Sequence, residues 1–324
     1  MNIKENVFKI LFDNIGKSVS GEDIAEKLHI SRNSVWKAVK ALKNDGIEIF
    51  SQTNKGYTMS SENDFFTSDT IKKYLKREHD IIIIDEETSS NTVAKKYASE
   101  KMSKEGTVVI VKRQTLGRGR MGRTFFSNEE NGLYMSIILR PKISATESVD
   151  ITVIGALAVA QAIEETSSRI CEIKWVNDIF IEEKKACGIL TEASFDFESD
   201  SLEYAILGVG INVTPPKNGF NEKIRDIAGA IYNEKAPYGY KAKLCAEVIN
   251  KFFDHYLKSN KNEYISLYRS KSNIIGKNVD VYRGNYMFFG KCIDIDENAN
   301  LVIDTEKGIL KFNSGEARVR KNER

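Results

Sequence analysis

The chain has 324 residues, of which 41% are hydrophobic and 29% are charged. Disordered chains carry too few hydrophobic residues to bury a core, so this composition predicts a soluble globular protein, and the length predicts two or three domains. Lys and Arg (48) nearly balance Asp and Glu (46), which excludes a protein that binds nucleic acid or membrane through its overall charge. Any such binding must come from a local cluster of charge.

Cysteine spacing and hydropathy exclude several classes of protein. The four cysteines are far apart, with no CxxC pair and no histidine at ligand spacing, which predicts buried, reduced thiols and not a zinc site or a disulfide scaffold. The N-terminus does not read as a signal peptide, and no apolar run approaches the ~20 residues that cross a bilayer. We therefore expect a cytoplasmic protein without a membrane partner.

Residues 1–62 are predicted to form three helices followed by a two-stranded hairpin. Ser20 and Ser31 precede apolar residues at helical spacing, so each is predicted to cap a helix, and Gly46 is predicted to end the third. The apolar stripes comprise Val7, Ile10, Leu11, Ile24, Ala25, Leu28, Val35, Val39 and Leu42. The hairpin comprises residues 47–50 and 56–59 around Thr53, Asn54 and Lys55. This order is typical of a winged helix-turn-helix.

The outer face of the predicted third helix favours DNA binding. It carries cations and short polar donors, and no acidic residue occurs between Arg32 and Lys43. Such a face suits the major groove of DNA. The residues predicted to contact DNA are Arg32, Asn33, Ser34, Lys37 and Lys40. The alternative is a three-helix module that binds protein and has a merely solvated basic face.

Residues 63–268 alternate strands with amphipathic helices, which predicts a large α+β domain. A first helix is predicted at 66–78. The predicted strands are 81–84, 107–111, 133–139, 172–175 and 202–207, and the further predicted helices are 91–102, 151–165 and 241–258. Within 269–324 helical periodicity disappears, and the short β segments 278–282, 287–294, 300–304 and 308–312 predict a small SH3-like β-barrel.

The most informative stretch is 114–127, QTLGRGRMGRTFFS, in which three arginines alternate with three glycines. Glycine lets the backbone approach a ligand closely while guanidinium groups surround it, so the stretch predicts an anion-binding loop. A solvated hairpin is the alternative. A P-loop is excluded, because Arg123 stands where that motif needs Lys and a strand follows where it needs a helix.

Two further motifs place polar groups beside strands. Ser89, Ser90 and Asn91 lie between a strand and a helix, where they can cap the helix and offer hydroxyl and amide groups to a ligand. In GVGINV (208–213) a valine replaces the third glycine of a dinucleotide fingerprint, so the glycines are predicted to mark a close backbone approach. Asn212 remains as a polar contact.

The segment KWVND (174–178) ends a predicted strand, and Lys184 and Lys185 begin the returning one. This arrangement predicts an amide, a carboxylate and an ammonium group at one hairpin. None of the three histidines lies in any of these motifs, so the sequence offers no Ser/His/Asp or Cys/His nucleophile.

The motifs SSN, QTLGRGRMGR, KWVND, KACGILTE and GVGIN, in this order and spacing, resemble those of the bifunctional biotin protein ligase and biotin operon repressor family. The resemblance covers essentially the whole chain. It implies a winged helix-turn-helix domain at 1–62, a class II synthetase-like ligase domain at 63–268 and an SH3-like barrel at 269–324. The chain departs from the family at Ser90, Phe125 and Val176, where the family has Thr, Trp and Pro.

The resemblance implies an enzyme that activates biotin with ATP to biotinyl-5′-AMP and passes the biotinyl group to a lysine of a carboxyl carrier protein. It also implies a homodimeric repressor that binds operator DNA with biotinyl-5′-AMP as corepressor. Triphosphate chemistry implies Mg²⁺. Three alternatives remain open: a DNA-binding biotin sensor with a silent ligase domain, a lipoate-type acyl ligase, and a ligase whose N-terminal module does not bind DNA.

The resemblance also assigns roles to residues. Lys185 is expected to reach both the biotin carboxylate and the α-phosphate, and Asp178 to coordinate metal or orient the incoming lysine. The implied catalytic residues are Lys185, Arg118, Arg120 and Asp178. The implied biotin-binding residues are Ser89, Ser90, Asn91, Gln114, Arg118, Gly119, Arg120 and Lys185. The implied ATP-binding residues are Arg123, Phe125, Asn177 and Asn212. The metal ligands are left unassigned.

Overall fold

The structure is a computed structural model that describes residues 3–44, 47–52, 55–60, 66–127, 129–144, 147–196, 201–258 and 260–320. The chain divides into two compact units, residues 1–65 with 237–240 and residues 66–236 with 241–324. Within the described residues, no helix combines the length and apolar character needed to cross a bilayer. The four cysteines are buried free thiols, as predicted.

The first unit contains three helices and a small antiparallel sheet, which confirms the predicted order of elements. In chain order these are α1 (Ile3–Asp13), β1 (Ser18–Val19), α2 (Gly21–Leu28), α3 (Arg32–Asn44), β2 (Ile49–Gln52) and β3 (Gly56–Met59). The sheet has three strands, in the order β1-β3-β2, where the sequence predicted two. The short strand β1 has only two residues, too few for an alternating pattern to reveal it. Gly46, Thr53 and Asn54, predicted at a helix end and a turn, lie outside the described residues.

Local capping explains where the two helices of the helix-turn-helix begin. Ser20 Oγ accepts a hydrogen bond from the backbone N–H of Asp23 at 2.9 Å, and Ser31 Oγ accepts one from Ser34 N–H at 3.1 Å. Between them His29 adopts a left-handed conformation (φ 54°) that ends α2. The predicted apolar stripes are the core of this unit, with Leu28 partly buried at its margin.

The second unit is built on a seven-stranded sheet in the order β4-β5-β6-β10-β9-β8-β7. Its strands are β4 (Ile81–Glu87), β5 (Val108–Gln114), β6 (Gly132–Leu139), β7 (Glu172–Lys174), β8 (Asp178–Ile181), β9 (Lys184–Asp196) and β10 (Ser201–Asn212). Its helices are α4 (Ser68–Lys72), α5 (Ser90–Ser99), α6 (Ser148–Ser167), α7 (Tyr240–Tyr256) and α8 (Lys261–Ser270). As far as the structure describes this sheet, β4 and β5 pair in parallel and the other neighbouring strands pair antiparallel.

One predicted helix is wrong in length. The sequence predicted helix across 66–78, but α4 has five residues and buries only Ile71. A charged run from Lys76 to Asp80 follows, and a short helix without an apolar face to pack is not stable. The sequence also missed α8 and the length of β9, which continues to Asp196.

Helices cover both faces of the sheet, and this decides where a site can form. Ile206 of β10 packs in a cluster with Ala94 and Ala98 of α5, whereas Leu207 meets Gly155 of α6. Successive residues of a strand point to opposite faces, so α5 and α6 lie on opposite sides of the sheet. Gly208, two residues after Ile206, therefore faces the N-terminal end of α5.

The C-terminal part of the second unit is an antiparallel sheet of five strands in the order β14-β13-β12-β11-β15. These are β11 (Asn278–Arg283), β12 (Tyr286–Ile295), β13 (Leu301–Thr305), β14 (Gly308–Phe312) and β15 (Glu316–Val319), of which the sequence missed β15. The β-rich C-terminal part is confirmed, and its closure into a barrel stays a prediction. Trp175 Nε1, directly after β7, donates to Ala299 O at 2.9 Å, and Arg269 Nε of α8 donates to Ile295 O of β12 at 2.6 Å, so the C-terminal part is joined to the turn after β7 and to α8.

Candidate functional site

A cavity of about 270 Å³ lies on the α5 side of the large sheet. Its lining contains every residue that the sequence predicted for the ligase site, namely Ser89, Ser90, Asn91, Gln114, Arg118, Gly119, Arg120, Arg123, Phe125, Asn177, Asp178, Lys185 and Asn212. These residues come from segments that are far apart in the chain. The fold therefore brings the separate motifs together around one volume.

The serine-containing segment and Gln114 form one buried network at this cavity. Ser89 Oγ caps α5 by accepting from Thr92 N–H at 3.1 Å. Gln114 Oε1 accepts from Ser90 N–H at 2.8 Å, and Gln114 Nε2 donates to Ser127 Oγ at 2.8 Å. Because both ends of the Gln114 amide have protein partners, its orientation is set before any ligand binds.

The glycines of GVGIN do allow a close approach, as predicted. A Cβ at Gly208 would collide with the side-chain amide of Asn91, and a Cβ at Gly210 would lie 2.7 Å from Phe125 Cε1. Real Cβ atoms do not approach other atoms so closely, so these two positions of β10 require glycine. The predicted polar contact, Asn212, is buried and donates from Nδ2 to Gly229 O at 2.9 Å.

The Arg-rich loop is a hairpin that lines the cavity. Gly119 N–H donates to Arg123 O at 2.7 Å, and Phe125 N–H donates to Gly117 O at 2.9 Å. A Cβ at Gly117 would overlap Phe125 O and Ser127 Oγ. Gly117 is therefore needed because two segments of the loop itself pack closely together. The sequence had predicted that this glycine lets a ligand approach the backbone.

The three arginines of this loop have three different anchors. Arg120 donates from Nη1 to Asn177 Oδ1 at 2.9 Å and from Nη2 to Gly315 O at 3.2 Å. Burial lowers the pKa of Arg120 from its usual value, and the nearby Asp178 carboxylate opposes this effect. Arg123 makes a two-pronged ion pair with Glu316. Arg118 Nη1 lies 3.7 Å from Glu192 Oε1, and the Arg118 side chain is 52% exposed.

An ammonium and a carboxylate do meet, as predicted, but KWVND turns from β7 into β8, a strand that the sequence missed, and Lys185 follows on β9. Lys185 Nζ lies 2.7 Å from Asp178 Oδ1 in an ion pair at the cavity. Asn177 Nδ2 donates to Ile189 O at 2.8 Å, so the amide is held by β9. The Trp175–Val176 peptide bond is cis, and Val176 O accepts a hydrogen bond from the buried Tyr268 hydroxyl at 3.0 Å.

Sequence reasoning missed two charged residues that line the cavity. Lys174 belongs to KWVND, and burial lowers its pKa below the usual lysine value despite the nearby carboxylates of Asp178 and Glu316. Glu316 lies 193 residues after Arg123, so no local spacing signals their contact. Although burial opposes it, the hydrogen bonds from Arg123 and Arg318 lower the pKa of Glu316 to about 2.

The pKa of Glu316 leads to a prediction about stability. A carboxyl whose pKa falls from 4.5 to about 2 on folding stabilises the fold fully above its unfolded pKa and loses this contribution as pH falls towards the folded value. We expect Glu316→Gln to lower the midpoint of thermal unfolding near neutral pH. The difference from the wild type should shrink between about pH 4.5 and about pH 2. A difference that stays constant with pH would contradict a charge-dependent role.

The predicted DNA-contacting residues lie on one side of α3. Arg32, Asn33, Lys37 and Lys40 are exposed, whereas Ser34 is half-buried and participates in the Ser31 cap. Sequence reasoning omitted Trp36, which is 50% exposed on this helix with Lys40 Nζ 5.2 Å from the centroid of its ring. Trp36 falls outside the helical spacing of the core residues Val35, Val39 and Leu42, and this spacing was the available signal for its exposure.

Comparisons with known proteins agree with this geometry. Family models match residues 4–58 (HTH domain), 84–212 (Biotin/lipoate A/B protein ligase family) and 274–320 (Biotin protein ligase C terminal domain). The Bifunctional ligase/repressor BirA of Bacillus subtilis is 34% identical over 313 residues, which cover 94% of this chain and 95% of that protein. The chain belongs to the bifunctional biotin ligase/repressor family. The Escherichia coli BirA is 23% identical over 95% of both chains.

Solved structures of biotin protein ligases share the fold of most of the chain. The biotin protein ligase from Aquifex aeolicus in complex with biotin and ATP is 28% identical, with a TM-score of 0.61. The match covers 75% of this chain and 99% of the Aquifex aeolicus chain. A biotin protein ligase-like protein from Silicibacter, at 12% identity and a TM-score of 0.55, shows the fold alone.

Against the family pattern, two departures have a structural explanation. Ser90 in place of Thr keeps a hydroxyl, and its Oγ lies 2.8 Å from Ser136 Oγ inside the buried network. Phe125 in place of Trp keeps an aromatic surface, which packs on Gly210 and contacts Tyr134 edge-on with ring centroids 6.3 Å apart. Both positions therefore retain the shape that the site needs, and Phe125 lacks the indole donor.

Proposed function

We propose that this chain is an ATP-dependent biotin protein ligase that also represses transcription at an operator. One observation carries the ligase proposal: Lys185, Arg118 and Arg120 meet at one cavity beside the buried Ser89–Asn91 segment and Gln114. This cavity brings cations together with uncharged hydrogen-bonding groups. A ligand that carries both a carboxylate and an uncharged polar ring, such as biotin, matches that combination.

The first half-reaction needs cations, not a general base. A biotin carboxylate oxygen attacks the α-phosphorus of ATP, the bond to the β-phosphate oxygen breaks, and pyrophosphate leaves. Both reactants are anions, so the barrier falls when their repulsion is neutralised. We propose that Lys185 exchanges Asp178 for the biotin carboxylate and the α-phosphate. Arg118 and Arg120 then hold the acyl-phosphate under the loop.

The second half-reaction transfers the biotinyl group. The amine of a lysine on a carboxyl carrier protein attacks the acyl carbon of biotinyl-5′-AMP, AMP leaves, and the nitrogen loses a proton. Asp178 is the carboxylate in the cavity that can orient this incoming amine once Lys185 is engaged by the adenylate. We further propose that the protein acts in the cytoplasm, where ATP and operator DNA are both present.

Adenosine recognition is proposed for the end of the cavity lined by Arg123, Phe125, Asn177 and Asn212. The Phe125 ring supplies an apolar surface for the base, and Arg123 supplies a cation for the phosphates. Because Asn212 Nδ2 already donates to Gly229 O, we propose that its amide oxygen accepts from the nucleotide.

Magnesium is proposed to arrive with ATP. Within the described residues, no three His, Cys, Asp or Glu side chains converge in an arrangement that would hold a metal ion. Mg²⁺ commonly binds through one or two carboxylates plus substrate phosphates, and Asp178 offers a carboxylate in the cavity. The residues thus fit an ion that the triphosphate mainly holds. The positive charge of that ion would reduce the repulsion between the reactants.

The repressor proposal rests on the cationic face of α3 in a unit that matches an HTH domain. Arg32, Asn33, Lys37 and Lys40 are proposed to contact operator DNA, with Ser34 at the start of the helix. A single helix of this size reads one half-site, so a homodimer on two half-sites is proposed. Biotinyl-5′-AMP is the proposed corepressor.

The second candidate is a lipoate-type ligase, because the matching family model describes biotin and lipoate ligases together. Biotin carries a ureido group that can bond the uncharged polar side chains of the cavity, and lipoate carries none. We therefore favour biotin. The test is to incubate the protein with ATP and Mg²⁺ plus biotin or lipoate, and to identify the acyl adenylate by mass spectrometry. Biotinyl-5′-AMP is expected; lipoyl-AMP alone, or no adenylate, would overturn the proposal.

The Arg-rich loop gives a further prediction. Residues 117–123 carry like charges and three glycines, so ordering them without an anion is costly, and ligand binding should supply the free energy that orders them. We expect hydrogen-exchange protection of this loop to rise when biotin and ATP are added together. The strand β6 serves as an internal control whose protection should not change. Full protection in the ligand-free protein would contradict a role as a lid.

A further inference from the structure

Glu192, the last residue of the KACGILTE motif, lies on β9 next to the cavity, and neither the roles assigned from the sequence nor the proposed mechanism uses it. Its side chain is 17% exposed. Its Oε2 accepts a hydrogen bond from Asn91 Nδ2 at 2.8 Å, and its Oε1 lies 2.5 Å from Lys95 Nζ. Arg118 Nη1 approaches the same Oε1 at 3.7 Å. One carboxylate therefore links two residues of α5, Asn91 and Lys95, to the Arg-rich loop.

The partners of Asn91 limit what this side chain can offer a ligand. Nδ2 donates to Glu192 Oε2 at 2.8 Å and to Leu190 O at 3.3 Å, which occupies both of its hydrogens. Oδ1 accepts from the buried Ser136 hydroxyl at 2.6 Å and retains a second lone pair. Asn91 can thus act on a ligand in the cavity only as a hydrogen-bond acceptor.

This orientation suits a ureido ring, which carries two N–H donors. We propose that Glu192 is a positioning residue for biotin recognition, which holds the Asn91 amide so that Oδ1 accepts from a ureido N–H, and which secondarily anchors Arg118. The inference rests on the proposed function and extends it to how the ring of biotin is selected.

The charge of Glu192 matters for the orientation of Asn91. An ionised carboxylate only accepts hydrogen bonds, so it cannot pair with Asn91 Oδ1 and excludes the flipped amide. Although burial opposes it, the hydrogen bonds from Lys95 and Asn91 lower the pKa of Glu192, which keeps it ionised at neutral pH. The Arg118 contact is longer and half-exposed, and such pairs contribute little, so the effect on Asn91 is the larger one.

Steady-state adenylate formation by the full chain tests this inference. Glu192→Ala frees the Asn91 amide to flip, so we expect the biotin KM to rise about tenfold or more, with a smaller change in the ATP KM and in kcat. Glu192→Gln keeps an acceptor for Asn91 but removes the charge and adds an N–H donor, so it partly admits the flipped amide. For Glu192→Gln we expect a biotin KM between those of the wild type and Glu192→Ala, and release of the adenylate that is about twofold to fivefold faster.

Biotin methylated on either ureido nitrogen provides a readout that a merely structural residue would not change. The wild type should discriminate against the analogue that lacks the N–H facing Asn91, and Glu192→Ala should lose most of this discrimination. Undiminished discrimination in the variant would overturn the inference, as would an unchanged biotin KM. In both cases biotinyl-5′-AMP would still form in the wild type, so the proposed function would stand.

A matched control separates this effect from loss of an ion pair. Lys251 Nζ lies 2.5 Å from Glu165 Oε2, and neither residue lines the cavity, so Glu165→Ala should leave the biotin KM and the analogue discrimination unchanged. If Glu192→Ala does not fold, because it leaves Lys95 without its carboxylate, the double change Glu192→Ala with Lys95→Ala replaces it. The same two outcomes then support or overturn the inference.

Discussion

Lys185→Ala and Arg118→Ala are each expected to lower the rate of biotinyl-5′-AMP formation by on the order of a hundredfold. Each change removes a cation that faces two reacting anions, and one such contact commonly contributes about 3 kcal/mol of transition-state stabilisation. Arg118→Ala should also release the adenylate faster, because the loop over the acyl-phosphate loses an anchor. Quench-flow detection of the adenylate, with a filter-binding measurement of its retention, provides both readouts.

The Lys185–Asp178 ion pair increases the loss of rate that is expected for Lys185→Ala. In Lys185→Ala the Asp178 carboxylate stays in the cavity without its cation and repels the incoming biotin carboxylate. Adding Asp178→Asn should therefore restore part of the lost rate of the first half-reaction. The neighbouring Lys184 is the matched control, because its Nζ donates to Arg225 O and Asp226 O and it does not line the cavity. Unchanged adenylate yield and retention in both cavity variants would contradict the site assignment.

Operator binding is expected to be weak and strongly salt-dependent for a single N-terminal unit, and tight only when two units bind two half-sites. The few cations on α3 neutralise few phosphates, and each phosphate contact contributes about 1 to the slope of log K against log salt. We expect Lys37→Ala with Lys40→Ala to reduce affinity at moderate salt by tenfold or more and to lower this slope. Biotin with ATP should raise affinity by promoting the dimer. Gel-shift titrations over several salt concentrations measure both effects.

Two controls complete the DNA experiment. Lys4→Ala with Lys9→Ala removes two lysines from α1 of the same unit and should change affinity far less. Biotin transfer by the Lys37/Lys40 variant should stay near the wild-type rate, because α3 and the cavity belong to different compact units. Operator binding could prove independent of the adenylate, or could persist in the double variant at moderate salt. Either result would show that the N-terminal unit of this ligase has another role.

Local elements could be predicted from the sequence because their causes are local. Ser20, Ser31 and Ser89 cap helices by accepting from backbone N–H groups three residues away. Apolar residues at helical spacing placed α1, α2 and α3, since their side chains must share one face. The helix predicted at 66–78 is longer than the observed α4. The segment has no apolar face beyond Ile71, so nothing stabilises a longer helix there.

The composition of the site was also readable from the sequence. The motifs supplied the cations, the amides and the bare backbone at Gly208 and Gly210, and all the predicted ligase residues line one cavity. The contacts that individual motif residues make could not be predicted from the sequence. Gly117 meets the backbone of its own loop, and Asn91 offers a ligand only an acceptor, because the hydrogens of its amide are already engaged.

Only the tertiary structure decided which distant side chains meet. Arg123 pairs with Glu316, 193 residues away, and Asn91 pairs with Glu192, 101 residues away. Such contacts depend on strand order and on which face of the sheet a residue occupies, and neither is encoded in a local spacing. The sequence by itself therefore determined the elements and the chemical groups of this protein. The packing of β9, β10 and β15 determined how those groups are held.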